Sequence, residues 1–328
     1  MKLATVRKNE KTKLVAQLGE GYLLPIPAGI FSDSPSVSLK TVIQGGDASL
    51  KKLADFVKSN ADIHKDDLIP ESEVTWLPPL VDPGKICGVA MNNSASNARK
   101  ISAPDHPAFF LKPASCLIGH GQEISLRSYY GSAHPEPELA VVIGKTVRDL
   151  EPEQVSSMVF GYSIFNDITG NGMRAEDLFR YYALYPKKDN PDEVEKVEQH
   201  LSYAARYKGT DCFGVLGPWV VTSDEISNPD ELSVTCTVAD ERVADDNTKY
   251  YNYKVAEIIS FISNFHTLYP GDIVSMGTAF KPGSTRKSIH HANFQTVGGP
   301  VRIEIEGLGI QQNPVVVEQR DLGRWRLN

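Results

Sequence analysis

The chain has 328 residues, 41% hydrophobic and 23% charged, enough to bury one large core and long enough to divide into a small and a larger unit. A formal charge of -7 leaves no basic stripe of the kind that neutralises phosphates, so nucleic acid is not expected as a partner. The opening MKLATVRKNEKTKLVAQL scatters its charges, and no stretch approaches the roughly 18 apolar residues of a membrane span, so a cytoplasmic protein without membrane contact is expected.

The first short β-like runs are KLVAQLG and GYLLPIPAG. They lead to a helix, DASLKKLADFVKSN, in which Asp47 is placed to cap and Leu50, Leu53, Ala54 and Val57 recur at helical spacing. Pro70, Pro78, Pro79 and Pro83 then crowd a segment that suits neither helix nor central strand, which sets a boundary near residue 82. A small domain over 1–82 and a larger one over 83–328 are expected. Beyond the boundary the pattern turns mainly β: KICGVAM, AFFLKP, ELAVVIGK, GYSIFNDI, PWVVTSDEI, LSVTCTVAD, GDIVSMGTAF and PVRIEIEGLG alternate with Gly, Pro, Asn and Asp. Two segments there read as helices. NPDEVEKVEQHLSYAARY carries Val194, Val197, Leu201 and Ala204 on one stripe, and YKVAEIISFISNFH does the same with Val255, Ile258, Ile259, Ile262 and Phe265. The second ends at Pro270-Gly271-Asp272, a turn back into a strand. The fold class is therefore α+β, predominantly β. Cys87, Cys116, Cys212 and Cys236 form no C-x-x-C pair, so neither zinc nor a disulfide scaffold is indicated and reduced thiols are expected.

Within SAHPEPELAVVIGK, Glu136 and Glu138 stand at the front of a run with the composition of a buried strand. Side chains on a strand alternate, so both carboxylates point to one face with Cα atoms roughly 6.6 Å apart. Left unpaired in a half-buried setting they would be unfavourable, so a positive charge is expected between them. Asp167 ends another apolar run, GYSIFNDI, and makes a third carboxylate where the hydrophobic stretch stops. Three oxygen donors without histidine or thiolate suit Mg²⁺ or Mn²⁺. The alternative is an edge strand facing water, with Asp167 capping a turn.

HPEPELAVVIGK, GYSIFNDIT, YKGTDCFGVLGPWVVTSDEI, TLYPGDIVSMGTA and GGPVRIEIEGLG, in this order, resemble the fumarylacetoacetate hydrolase superfamily across residues 83–318. The resemblance implies a catalytic domain built as a mixed β-sandwich roll and a homodimer. It implies Mg²⁺ or Mn²⁺ on two glutamates and an aspartate, which fall on Glu136, Glu138 and Asp167. It also implies a substrate lysine at Lys208 and a threonine near the substrate carboxylate at Thr278. A 2-oxo acid can chelate such an ion through its carboxylate and keto oxygens, and the ion stabilises the enolate that develops when a bond at or beyond C3 breaks. Lys208 would add charge beside that oxyanion or move a proton.

The sequence departs from the pattern in two places. Hydrolases of the superfamily carry Gly-x-Asn-Tyr-x-x-His followed by Glu, a dyad that activates water on a lid; here GVAMNNSASNARK aligns Asn92 with the asparagine and Ser96 with the histidine. A serine without a partner does not take a proton from water at neutral pH, so His106, His120 and His134 are the candidate replacement bases. His290 and His291 are adjacent on a strand-like run and face opposite ways, a poor chelate. The second departure follows Asp167, where the arginine of many relatives is postponed to Arg174, a candidate substrate contact. The long 175–207 segment is read as a lid or dimer contact; Tyr181, Tyr182 and Tyr185 are able to wall a pocket, with a packing role as the favoured alternative. GHGQEISLRS and GTAFKPG resemble the 2-keto-3-deoxy sugar-acid dehydratases of the superfamily, although Ala108 stands where those carry an acidic residue. Hydrolysis of a C–C bond in an acylpyruvate-type acid is the first expectation, with dehydration, decarboxylation or isomerisation next and a non-catalytic keto-acid binder last.

Overall fold

The computed structural model describes residues 1–31, 36–283 and 291–325, so His290 of the His290–His291 pair lies outside the described residues. β1 (Lys2–Lys8), β2 (Lys11–Gln17) and β3 (Tyr22–Pro25) form an antiparallel meander. α1 (Leu39–Gln44) and α2 (Gly46–Ser59) follow. Gly45 rather than Asp47 precedes the first residue of α2, and Asp47 sits in its first turn, where its charge faces the positive end of the helix. After the short β4 (Ile69–Pro70) and β5 (Thr75–Trp76) come β6 (Ile86–Ala90), β7 (Ala108–Lys112), β8 (Leu117–Ile118) and β9 (Ile124–Arg127).

The central pair is β10 (Pro137–Ile143) and β11 (Val159–Asp167), every residue of which is buried. Next are α3 (Asn171–Glu176), β12 (Phe179–Pro186), β13 (Val194–Leu201), α4 (Ala204–Gly209), β14 (Gly214–Leu216) and β15 (Val220–Thr222). β16 (Ser233–Val238), β17 (Glu241–Asn247), α5 (Val255–Ser263), β18 (Ile273–Thr278), α6 (Phe294–Val297), β19 (Val301–Ile305), β20 (Gly309–Asn313) and β21 (Val315–Glu318) complete the chain. Mostly strands, the fold is α+β.

One large sheet runs β4-β3-β2-β1-β15-β11-β10-β18-β6-β7, so the N-terminal strands join it through β1 beside β15, where Leu3 pairs with Val220. β17-β16-β19-β20 make a second sheet. Alternation along β10 divides the core in two. Leu139, Val141 and Ile143 join the cluster that holds Ile258, Ile259 and Ile262 of α5 and the inner side of the second sheet, while Ala140 and Val142 join Leu39, Val42 and Leu53 of the first two helices. Glu138 shares its parity with the second set. The α5 stripe holds as far as Ile262, but Phe265 lies past the helix end and is 60% exposed.

The segment read as a helix from Val194 to Ala204 is instead strand β13, paired residue for residue with β12 from Phe179↔Leu201 to Pro186↔Val194; only Ala204–Gly209 is helical. Cross-strand partners override the helical spacing: Arg180 Nη2 donates to Glu198 Oε1 at 2.7 Å, and Gln199 bonds to the hydroxyls of Tyr181 and Tyr185 at 3.1 and 2.7 Å. The cysteines form no disulfides. Burial pushes the Cys87 thiol up to about 12 and the Cys116 thiol up to about 11, as expected of inert interior thiols. Among the described residues no helix is long and apolar enough to cross a membrane.

Candidate metal centre

Strand pairing brings together acidic residues that are far apart in sequence. β10 runs antiparallel to both β11 and β18, so its first residues lie beside the last residues of each neighbour: Pro137 faces Asn166, and Glu138 faces Thr278. Glu136, one residue ahead of the strand, donates its N–H to Asn166 Oδ1 at 3.0 Å and accepts from the Asp167 N–H at 3.0 Å. One carboxylate oxygen from each of Glu136, Glu138 and Asp167 then lies within 4.8 Å of the other two.

Each carboxylate is held by its own partners. Lys208, on α4, donates from Nζ to Glu136 Oε2 at 2.9 Å and to Asp167 Oδ2 at 2.5 Å. Lys112, at the end of β7 with no exposed side-chain surface, donates to Asp167 Oδ1 at 2.6 Å, to the Phe213 carbonyl at 3.1 Å and to the Lys208 carbonyl. Glu138 Oε2 accepts from Ser275 Oγ at 2.5 Å and from the Gly277 N–H at 3.0 Å. Gly277 has φ +83°, and a Cβ there would lie 2.9 Å from the Val89 carbonyl, so both conformation and space favour glycine where the backbone turns its N–H to the carboxylate.

Burial, with the negative charges of Asp167 and Glu136 beside it, raises the Glu138 carboxyl well above the ordinary carboxylate range. Burial works the same way on Glu136, but Lys208 and His134 outweigh it and hold Glu136 below that range. Burial would lower Lys208, yet Asp167, Glu136 and Glu138 raise it. With Glu138 ionised as a ligand would be, three carboxylates against two lysines leave the cluster short of one positive charge. Buried, oxygen-only and net negative, the donor set suits a hard divalent cation.

The sequence pattern of the fumarylacetoacetate (FAA) hydrolase C-terminal domain matches residues 85–316. The chain belongs to the fumarylacetoacetate hydrolase family. A mitochondrial oxaloacetate tautomerase of Rattus norvegicus is 32% identical over 250 residues, covering 76% of this chain and 72% of that protein. A 2,4-didehydro-3-deoxy-L-rhamnonate hydrolase of a Sphingomonas species is 31% identical over 254 residues, 77% of this chain and 80% of that one. Among solved structures, maleylpyruvate hydrolase of Sphingobium sp. SYK-6 in complex with manganese(II) and pyruvate superposes with a TM-score of 0.70 at 24% identity, covering 97% of this chain and 100% of that one, which establishes the common fold.

In this family member the trio opens into a cavity of about 360 Å³ whose lining includes Glu136, Glu138, Lys208, Thr278 and Arg174. Arg99, Ser96 and Phe110 line it as well. His134 is buried behind the trio, with Nε2 3.2 Å from Glu136 Oε1 and Nδ1 3.2 Å from Asn171 Nδ2. The other histidines lie apart. His106 lines a neighbouring cavity and stacks on Phe261, whereas His120 packs against Trp76 and accepts from the Gln312 N–H at 3.1 Å through Nδ1. Tyr181, Tyr182 and Tyr185 stand exposed on the β12–β13 hairpin and do not wall the cavity. Lys112, Ser275 and Gly277 escaped the sequence reading. A lysine closing the apolar run AFFLKP is a detectable sign, because a charge buried at a strand end needs a partner; Ser275 and Gly277 carry no comparable mark before the pairing of β10 with β18 is known.

Proposed function

We propose that this protein is a Mg²⁺- or Mn²⁺-dependent enzyme that interconverts keto and enol forms of a small 2-oxo acid. The observation that carries the reading is the convergence of Glu136, Glu138 and Asp167 with Lys208 in one cavity. The tautomerase relative at 32% identity supports it. Bound by the three carboxylates, the ion would supply a Lewis acid for the keto acid's oxygens and stabilise negative charge as the C3 proton leaves. Lys208, held in its ammonium form by three carboxylates, is suited to hand a proton to the reacting carbon and to recover it in the reverse direction. Glu136 lies between Lys208 and His134 and so gives that proton a path away from the cavity. Thr278 Oγ1 accepts from Asn93 Nδ2 at 3.3 Å, which leaves its own O–H to donate to the substrate carboxylate. Arg99 and Arg174 add positive charge to the lining for an anionic substrate.

Proton transfer is preferred to hydrolysis because of what stands at Ser96. Its hydroxyl donates to Asn93 Oδ1 at 2.8 Å and accepts from Arg99 Nη2 at 3.3 Å, so it sits beside a cation with its roles taken. No histidine is among the described residues lining this cavity, so the imidazole that would activate a water molecule is not supplied there by a lining residue. C–C hydrolysis of an acylpyruvate is the second reading, favoured by the relative named as a hydrolase at 31% identity. Following the ultraviolet decay of enol-oxaloacetate, and pyruvate release from acetylpyruvate, with Mn²⁺ present separates the two. Faster enol decay without pyruvate release is expected; pyruvate release without faster decay establishes hydrolysis instead. A homodimer acting in the cytoplasm completes the proposal. The exposed apolar hairpin supports the first, and the buried, inert thiols of Cys87 and Cys116 suit the second.

A further inference from the structure

We infer that β13 joins the β13 of a second copy, edge to edge about a twofold axis at Val197, so that the two β12–β13 hairpins form one four-stranded antiparallel sheet. This rests on the homodimer reading and gives the contact through which the copies meet. Among the described residues β12 and β13 pair only with each other, so each leaves one row of backbone N–H and C=O groups unpaired. Phe179, Tyr181 and Tyr185 stand exposed on one face, and Tyr182, Leu184 and Val194 on the other. A partner laid on one face would leave the other wet. A strand added at an edge instead brings neighbours to within about 5 Å on both faces at once.

Charge decides between the two edges. β12 carries only Arg180, so no register of β12 against itself sets opposite charges together. β13 carries Glu195, Lys196 and Glu198. Because side chains alternate, a twofold pairing keeps like faces together only when its axis passes through a residue rather than between two. Two such registers engage all but one of the eight residues of β13, either 195–201 or 194–200. The first is centred on Glu198 and sets Glu198 against itself and Lys196 against His200. The second is centred on Val197; it sets Val197 against itself, Glu195 against Gln199 and, on each side of the axis, Lys196 against Glu198. Opposite charges favour the second and like charges disfavour the first.

The atoms for these ion pairs are in place. Arg180 Nη2 and His200 Nε2 both meet Glu198 at Oε1, at 2.7 and 3.1 Å, which leaves Oε2 to accept from Lys196 of the second copy. Lys196 stands opposite Leu184, so no cross-strand charge holds it within its own hairpin. A lysine on a free edge discourages an uncharged strand, and here it admits a strand with a carboxylate at the matching position. The pairing also closes. β13 laid on the β12 of the next copy would repeat without end, whereas β13 on β13 leaves β12 outermost. There Arg180 and Pro186 discourage a further strand.

Sedimentation equilibrium of the full chain, together with disulfide trapping, tests this. In Val197→Cys the two thiols face each other across the axis, so copper phenanthroline should link most of the protein into covalent dimers. In Val194→Cys the thiols are offset along the strands by roughly 20 Å and should link no more than the parent does. Lys196→Glu turns both ion pairs into repulsions and should weaken the dimer by about ten-fold or more; adding Glu198→Lys should recover most of that loss. A dimer in which Val197→Cys links no better than Val194→Cys, or in which the double variant dissociates as readily as Lys196→Glu, overturns the edge contact and leaves the homodimer reading standing. A parent that sediments as a monomer throughout overturns both.

Discussion

The β10–β11 ladder and the β12–β13 hairpin are both antiparallel pairs of seven to nine residues, separated by one short helix, and they have opposite fates. Every residue of the first pair is buried; nearly every residue of the second is exposed, including Phe179, Tyr182 and Leu184. In the ladder, burial strips water from three carboxylates and two lysines, so each charge depends on its neighbours. In the hairpin, ion pairs such as Lys187–Glu193 are surrounded by solvent and contribute little. The same type of local structure thus carries chemistry in one place and supplies only surface in the other.

The sharpest break of this contrast is at the carboxylates. Glu138→Gln and Asp167→Asn keep size and shape but remove charge from the trio, and turnover with Mn²⁺ should fall by about a thousand-fold or more. Tyr182→Ser in the hairpin should leave turnover within about two-fold. Steady-state rates at fixed Mn²⁺ decide; full activity in Glu138→Gln would mean that Glu138 is no ligand. Stability should divide in the same way. Lys112→Met strands Asp167 without one of its buried cations and should cost about 3–5 kcal/mol, whereas Lys187→Met should cost no more than about 1 kcal/mol. Urea unfolding of both variants provides the comparison, and equal midpoints would contradict it.

The two regions also differ in how far the sequence discloses them. E-x-E ahead of an apolar run announces two carboxylates on one face, and Asp167 at the end of a second run announces the third; pairing only had to bring the strand ends together. Composition sufficed there because a buried strand reads as continuous apolar residues whichever partner it takes. In the hairpin, Val194, Val197 and Leu201 fall at helical spacing, and what makes them a strand is the partner β12, a non-local fact. Lys112 was overlooked for a similar reason. Its meaning depends on Asp167, 55 residues away, and on two carbonyls that only the folded chain brings near it. The displacement of His106 and His120 from the trio likewise follows from loop placement, which periodicity does not encode.

A pH series sharpens the contrast further. Glu138 has its carboxyl raised, so the metal-free native state keeps a proton there that the unfolded chain loses above about pH 4.3. Native protein then binds more protons than unfolded, and this group makes metal-free stability fall as pH rises toward the raised value. Glu136 acts oppositely: lowered in the fold, it contributes stability above about pH 4.3 and loses it as acid protonates it. A divalent ion on the trio must displace the Glu138 proton, so the stabilisation by Mn²⁺ should widen as pH rises above about 4.3, by up to about 1.4 kcal/mol per pH unit. A gain that does not change with pH would show that Glu138 is already ionised.

The smallest expected effect bears on whether the hairpin is surface at all. Leu184 is 61% exposed on the chain by itself, so Leu184→Ser should change its stability by no more than about 0.5 kcal/mol. Phe179, Tyr181 and Tyr185 share one face of the hairpin with Val197 and Leu201, and Tyr182 and Leu184 lie on the other, so apolar side chains stand on both sides of a two-stranded unit that is marginal without further cover. If a second copy covers either face, the substitutions Leu184→Ser and Tyr181→Ser will not behave alike. The one on the covered face will lower Tm by several degrees, by an amount that grows as protein concentration falls, and sedimentation will show that variant lighter than the parent. Equal, concentration-independent midpoints for both would leave the hairpin as solvated as it stands and remove the support it gives to a dimer.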